Sequence, residues 1–177
     1  MDKNNFFPDP ISQTCIQYRI PEGVTKIADK AFYNFRHLES VVFPESLCSI
    51  GRYAFSGCTA LNNVVIPSNV SNIDSGAFQN CLYLEEFTIS PNIREISPSL
   101  FEGCASLKQI TLKNILKIGE AAFSRCLLLT EVNLAEGLKE IGDEAFSECY
   151  NLCLSIPHSC VSIGDYAFTE CPGVIFR

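Results

Sequence analysis

Tryptophan is absent from the 177 residues, and histidine occurs only twice. Tryptophan is a usual anchor of strong protein-binding surfaces, and no exposed aromatic cluster is expected to replace it, so any protein binding should be weak or multivalent. Basic patches are also missing, and the formal charge of −7 argues against nucleic acid or an anionic membrane as a partner. No apolar run approaches the ~20 residues of a membrane span, so we expect no membrane insertion.

A secretory leader is not visible either. The sequence begins Met-Asp-Lys-Asn-Asn-Phe-Phe-Pro, without the basic start and the apolar core of about 7–15 residues that a signal peptide needs. We therefore expect a protein that is not exported by that route or one whose leader has been removed. Since 47% of the residues are hydrophobic and only 19% are charged, the composition excludes a disordered tail.

The chain instead consists of one motif repeated seven times. Copies of an Ala-Phe pair, with Leu for Ala in one copy, recur at intervals of 22 or 23 residues, and a period of this size is typical of a solenoid. The seven pairs are Ala31-Phe32, Ala54-Phe55, Ala77-Phe78, Leu100-Phe101, Ala122-Phe123, Ala145-Phe146 and Ala167-Phe168.

Each copy predicts two short strands and one turn of helix. In the third copy, Leu61-x-x-Val64-x-Ile66 alternates as a strand does, and Val70 and Ile73 mark a second short strand. The segment Ala-Phe-x-x-Cys then fits one helical turn with Phe and Cys on its inner face. One coil buries too little apolar surface to be stable alone, so the copies must stack around a shared core.

The domain boundaries follow from the repeats. Residues 14–177 should form a single solenoid domain, and residues 1–13 an N-terminal cap or tail whose Phe6 and Phe7 fold over the first coil. The copy at Leu152–Ile156 is one residue short, which predicts a local irregularity there.

The pattern Leu-x-x-Val-x-Ile-Pro-x-x-Val-x-x-Ile-x-x-x-Ala-Phe-x-x-Cys resembles the BspA-like, Treponema-type class of leucine-rich repeats over residues 15–176. The resemblance implies an α/β leucine-rich-repeat solenoid: a right-handed curved superhelix of short parallel strands with a concave sheet. It also implies a surface-associated or secreted protein of bacteria or protists that binds host or microbial proteins.

Ten cysteines raise the question of disulfides or metal. Parallel neighbours in a column lie ~4.8 Å apart, wider than the ~3.5–4.5 Å between Cβ atoms that a disulfide needs, so we expect buried, reduced thiols. Six occupy one repeat position: Cys58, Cys81, Cys104, Cys126, Cys149 and Cys171.

Zinc is the alternative for the C-terminal cysteines, but they contain no Cys-x-x-Cys pair, and we expect no metal and no cofactor. Cys153 differs, because the shortened strand should leave it exposed and reactive. The candidate zinc ligands would be Cys149, Cys153, His158, Cys160 and Cys171.

Catalysis is not expected. The two histidines, His37 and His158, lie about five coils apart, roughly 24 Å at ~4.8 Å per coil, and cannot share a site. His158 and Cys160 are close in sequence, but Cys160 should face the core. The sequence has no Gly-rich phosphate loop and no His-Glu-x-x-His motif. A thiol- or carbohydrate-active enzyme is therefore the least favoured interpretation.

The remaining candidate is the exposed side of the first strand in each repeat. Two residues flank the inward one in every copy, so stacking should produce two columns on the concave face, a kind of surface through which solenoids bind partners. The alternative is that these are only β-favouring residues on a solvated sheet. The candidates are Gln17, Arg19, Ser40, Val42, Asn63, Val65, Glu86, Thr88, Gln109, Thr111, Glu131 and Asn133.

The sequence therefore predicts a non-catalytic protein-protein interaction module that binds through its concave face. An adhesion-type protein, on the cell surface or secreted, is the preferred interpretation, and a cytosolic scaffold is the alternative. We expect a monomer or weak end-to-end association, since the last copy, Cys171–Arg177, is incomplete.

Overall fold

Residues 6–8 and 15–177 are described by the computed structural model. They form a solenoid of seven coils in which every coil has a longer first strand and a two-residue second strand. An eighth first strand follows the seventh coil. The first strands are β1 (Gln17–Arg19), β3 (Ser40–Val42), β5 (Asn63–Val65), β7 (Glu86–Thr88), β9 (Gln109–Leu112), β11 (Glu131–Leu134), β13 (Cys153–Ile156) and β15 (Gly173–Phe176). The second strands are β2 (Lys26–Ile27), β4 (Ser49–Ile50), β6 (Asn72–Ile73), β8 (Glu95–Ile96), β10 (Lys117–Ile118), β12 (Glu140–Ile141) and β14 (Ser162–Ile163).

The strands form where the sequence alternates. In β11, Val132 and Leu134 are buried while Glu131 and Asn133 are exposed, because successive side chains of a strand point to opposite faces. Every strand pairs in parallel with the equivalent strand of a neighbouring coil, in the register of the repeat. The predicted parallel-strand solenoid of about seven turns is thus confirmed.

The helical turn predicted at Ala-Phe-x-x-Cys is wrong, since the described residues contain no helix. In this segment, successive N–H groups donate alternately within the coil and to the next coil. Phe32 N–H bonds the Ala54 carbonyl at 2.7 Å, whereas Tyr33 N–H bonds the Lys30 carbonyl at 3.0 Å. An α-helix would direct all of these donors along its own axis, so the bonds between coils exclude it.

Two residues in each complete coil adopt the left-handed backbone conformation needed for this alternation. They lie immediately before the Ala-Phe pair and two residues after its Phe, as Ala121 (φ 51°) and Arg125 (φ 61°) do in the fifth coil. Glycine takes three of these places, as at Gly57 (φ 75°), but most hold residues with a Cβ, which this conformation strains by roughly 1–2 kcal/mol each.

The core is a stack of phenylalanine rings, one from each coil. The rings of neighbouring coils lie nearly parallel, with centroids 4.8 Å apart for Phe32 and Phe55 and 5.1 Å apart for Phe123 and Phe146. Leucine and isoleucine columns surround the stack. The side chains of successive coils therefore bury one another, as the repeat predicted.

Strand pairing is interrupted once in each row of strands. Among the described residues, β7 pairs with β5 but not with β9, and β8 pairs with β10 but not with β6. The two interruptions lie on opposite sides of the fourth coil. Strands up to Thr88 therefore form two sheets, and strands from Glu95 onward form two others.

Both ends show particular packing. Phe6 is buried, and its N–H bonds the Lys26 carbonyl at 2.9 Å, while Phe7 is 55% exposed and does not cover the first coil as expected. Most of the predicted cap, residues 1–5 and 9–13, lies outside the described residues. Near the other end, β11 and β13 pair only through Glu131 and Cys153, which confirms the predicted irregularity.

The left-handed positions predict opposite effects for two matched substitutions. Ala121→Gly should raise the free energy of unfolding by about 0.5–1 kcal/mol, because it relieves strain that exceeds the entropy cost of glycine. Ala105 is similarly half-buried but has no left-handed backbone, so Ala105→Gly should lower it by about 0.5–1 kcal/mol. Urea unfolding of both variants measures the two shifts, and shifts of the same sign would contradict the strain argument.

Candidate functional site

The exposed side of the first strands is the candidate binding surface, and we call it the first-strand face. Eleven of the twelve residues predicted to lie there are exposed, and Ser40 is half-buried. Inward neighbours such as Val64 and Ile110 are buried, so the alternation assigned the two sides of each strand correctly.

The strand register aligns these residues in two columns. In the first column Gln17 pairs with Ser40, Asn63 with Glu86, and Gln109 with Glu131. In the second, Arg19 pairs with Val42, Val65 with Thr88, and Thr111 with Asn133. Cys153 extends the first column beyond Glu131.

The columns are not continuous, which the sequence analysis did not anticipate. Between β7 and β9 the face opens into a cleft of about 700 Å³. Glu86 and Thr88 line one side and Gln109 and Thr111 line the other, so four predicted site residues face a gap rather than a flat sheet. The shortened 22-residue spacing from Phe101 to Phe123 was the available signal.

The turn that precedes each first strand carries exposed apolar side chains that the sequence analysis also missed. Leu82, Tyr83, Leu127, Leu128 and Tyr150 are between 38% and 64% exposed. They occupy the two positions after the core Cys, where other coils have polar residues such as Arg36 and His37. The expectation of no exposed aromatic cluster is therefore wrong for Tyr83 and Tyr150. Exposed apolar groups on one edge are typical of interaction surfaces.

Charged groups on the surface pair between coils. Lys108 Nζ lies 2.6 Å from Glu85 Oε2 at one end of the cleft, and Arg125 Nε lies 3.2 Å from Glu148 Oε1. Both pairs are exposed, so each contributes little to stability. Glu86 also accepts a hydrogen bond from the Asn63 side chain at 3.4 Å.

The core cysteines have a role beyond filling space. Cys104 Sγ donates to the Phe78 carbonyl of the preceding coil at 3.1 Å, and Cys126 Sγ donates to Phe101 at 3.2 Å. All six thiols of this column form the equivalent bond. Each of these carbonyls also accepts the N–H of the cysteine in its own coil or, for Phe32, of Phe35, so the thiol satisfies its second lone pair. Phe35 occupies the column in the first coil, which has no preceding coil to bond.

Burial makes the column thiols poor nucleophiles. It raises the pKa of Cys58 and of Cys104 to about 12, because the thiolate would lose its hydration in the core. All ten cysteines are free, and five of the six column cysteines are buried, with Cys171 half-buried. Cys153 is exposed as predicted, and so is Cys48, which the sequence analysis did not single out.

Neither a metal site nor a membrane span stands out. Within residues 6–8 and 15–177, no group of three His, Cys, Asp or Glu side chains is placed to hold a metal ion. That part of the chain also contains no helix long and apolar enough to cross a membrane. His158 is exposed and Cys160 is half-buried.

A family model described as the BspA-type leucine-rich repeat region, in six copies, matches residues 4–127 and 95–175. The chain belongs to this family. BspA-type proteins of known structure share its fold: a leucine-rich repeat protein from T. pallidum is 32% identical with a TM-score of 0.82, and the match covers 88% of this chain and 76% of that one.

Two further BspA-like solenoids are similar. A leucine-rich repeat protein from Eubacterium ventriosum is 27% identical with a TM-score of 0.86, over 96% of this chain and 46% of that one. A leucine-rich cell surface protein from Faecalibacterium prausnitzii is 27% identical with a TM-score of 0.63, over 91% of this chain and 60% of that one. This BspA-type chain thus spans less than half of the Eubacterium protein. Comparison with curated proteins gives no match.

The thiol column predicts a loss of stability at alkaline pH. In the unfolded chain Cys104 ionises near pH 9, whereas in the folded protein it stays protonated until about pH 12. Stability is therefore complete below pH 9 and falls as pH rises from 9 to 12, by about 1.4 kcal/mol per pH unit for each such thiol.

Urea unfolding in reductant at pH 8, 9, 10 and 11 tests this, with Cys104→Ala as the control. The wild-type slope above pH 9 should exceed that of the variant by about 1.4 kcal/mol per pH unit. Parallel slopes would contradict the assignment of Cys104 to a buried, protonated state.

Proposed function

We propose that this chain is a non-catalytic protein-protein interaction module that binds through the concave face of a right-handed, curved solenoid. Leucine-rich repeat proteins are generally protein-interaction modules, which is the coarse statement that the family supports. The observation that carries the proposal is the first-strand face, whose two columns of exposed side chains run along seven strands.

An adhesion-type protein on the cell surface or secreted is the form of this function that we prefer. Support comes from the F. prausnitzii relative, a leucine-rich cell surface protein. A cytosolic scaffold is a second candidate, and one observation favours it: all ten cysteines are free, as is usual in a reducing compartment. Fractionation of the source cells with an antibody to the chain would separate the two.

The proposal treats residues 14–177 as one domain with residues 1–13 as its cap or tail. It also includes a monomer that associates weakly end to end. The last coil supports this association, because Val161, Tyr166, Ile175 and Phe176 are between 64% and 82% exposed there. Apolar surface of this kind is typically covered by a partner.

Partner binding should depend on the first-strand face. Replacing Glu86, Gln109 and Glu131 together by Ala should weaken binding at least tenfold, because it removes three adjoining polar contacts from one column. Folding should be unaffected, since all three side chains are exposed. Partners would be captured from host and microbial surface extracts on immobilised wild-type protein and then titrated against each variant.

The matched control replaces Asn72, Glu95 and Glu140 by Ala. These residues lie on the outer side of the second strands, and the change also removes one amide and two carboxylates. Binding should stay within threefold of wild type. If the first-strand variant binds as tightly as this control, the assignment of the first-strand face is wrong.

A further inference from the structure

The cleft between β7 and β9 exposes backbone groups that are paired elsewhere in the solenoid. Thr130 N–H bonds the Lys108 carbonyl at 2.9 Å, but among the described residues no equivalent bond joins Lys108 N–H to the Glu85 carbonyl. Likewise, Ile66 N–H bonds the Thr88 carbonyl at 2.9 Å, whereas Ile89 and Thr111 form no such bond. Both ends of the gap therefore present strand donors and acceptors to solvent.

A one-residue deletion accompanies the gap. In the fourth coil four residues separate Ile89 from Ile93, whereas in the fifth coil only three separate Leu112 from Ile115. The connection between β9 and β10 is therefore shorter than its neighbours. A shorter connection cannot follow the path of the preceding coil, so β9 diverges from β7 at this point.

The opening is confined to one side of the solenoid. Between the same two coils, β8 pairs with β10 in full register, and Phe101 N–H bonds the Ala122 carbonyl at 2.8 Å. The gap is therefore a wedge, open on the first-strand face and closed toward the phenylalanine stack. Phe87, Ile89 and Ile115 contribute apolar surface to its lining.

From this geometry we propose that the cleft binds an extended peptide segment by strand addition. The backbone of the segment pairs with the unpaired groups of Glu85, Ile89, Lys108 and Thr111, as a peptide does at an exposed sheet edge. The inference rests on the proposed function and assigns it a mode of recognition. Walls of about six residues match a segment of six to nine residues, since a strand rises ~3.3 Å per residue.

The chemistry of the walls restricts the segment. Glu85 and Glu86 lie on one wall, and Lys108 and Lys113 on the other, so neither a strongly acidic nor a strongly basic peptide is favoured. An apolar side chain can enter toward Ile89 and Ile115, and alternate side chains then face solvent. The expected segment is uncharged or of mixed charge, with an apolar residue at its centre.

Proline substitution tests the open edge before any ligand is used. Lys108→Pro removes an N–H that has no partner, at a position just before a strand where proline is accepted. Its urea midpoint should equal that of Lys108→Ala, which controls for loss of the Glu85 ion pair. Thr130→Pro removes the equivalent N–H where it is paired, so its urea midpoint should fall clearly. Equal losses for Lys108→Pro and Thr130→Pro would overturn the open edge.

Binding is tested with nonapeptides selected from a random library on the wild-type protein. Selected peptides should bind Lys108→Ala within threefold of wild type and Lys108→Pro at least tenfold more weakly, and they should slow hydrogen exchange at the Ile89 amide. Failure to select any peptide, equal affinity for Lys108→Pro, or protection confined to other coils would overturn strand addition.

The two proposals fail in different ways. If the peptides behave as expected but the captured partner ignores the Glu86, Gln109 and Glu131 variant, strand addition stands and the first-strand face is not the partner's site. If the partner depends on that face but binds Lys108→Pro and Lys108→Ala equally, the proposed function stands and strand addition is overturned.

Discussion

Each coil is attached to the next by backbone N–H groups that point along the axis of the solenoid. Three rows of such bonds run through the molecule: one in the first strands, one in the second strands and one in the phenylalanine turns. A coil of 22 or 23 residues cannot satisfy its backbone or bury its apolar side chains alone. The stacked rings and the thiol-to-carbonyl bonds both depend on the spacing that these rows impose, because it places each side chain directly against its copy.

Much of this arrangement could be predicted from the sequence. The Phe and Cys columns and the first-strand alternation are periodic, and periodicity translates directly into which side chains face the core. The helical turn was wrong because Ala-Phe-x-x-Cys has the local spacing of a helix. Whether Phe32 N–H bonds its own coil or the Ala54 carbonyl of the next depends on the neighbour, which local pattern does not encode.

The candidate site was predictable to a similar degree. The twelve first-strand residues were assigned to the correct side of their strands, because alternation alone decides that. The break between β7 and β9 was not foreseen, since it arises from one missing residue between Leu112 and Ile115 and its effect on the neighbouring coil. Cys48 and the exposed Tyr83 and Tyr150 were missed because they lie outside the regular columns of the repeat.

The interrupted rows also have a mechanical consequence. A force that pulls the two ends of the solenoid apart is carried across most junctions by three rows of backbone bonds. On either side of the fourth coil one row is missing, although the Ser97 hydroxyl bonds the Ile73 carbonyl on one of these sides. Under tension, separation of coils would therefore begin at the fourth coil, which makes it the mechanical weak point of an otherwise uniform spring.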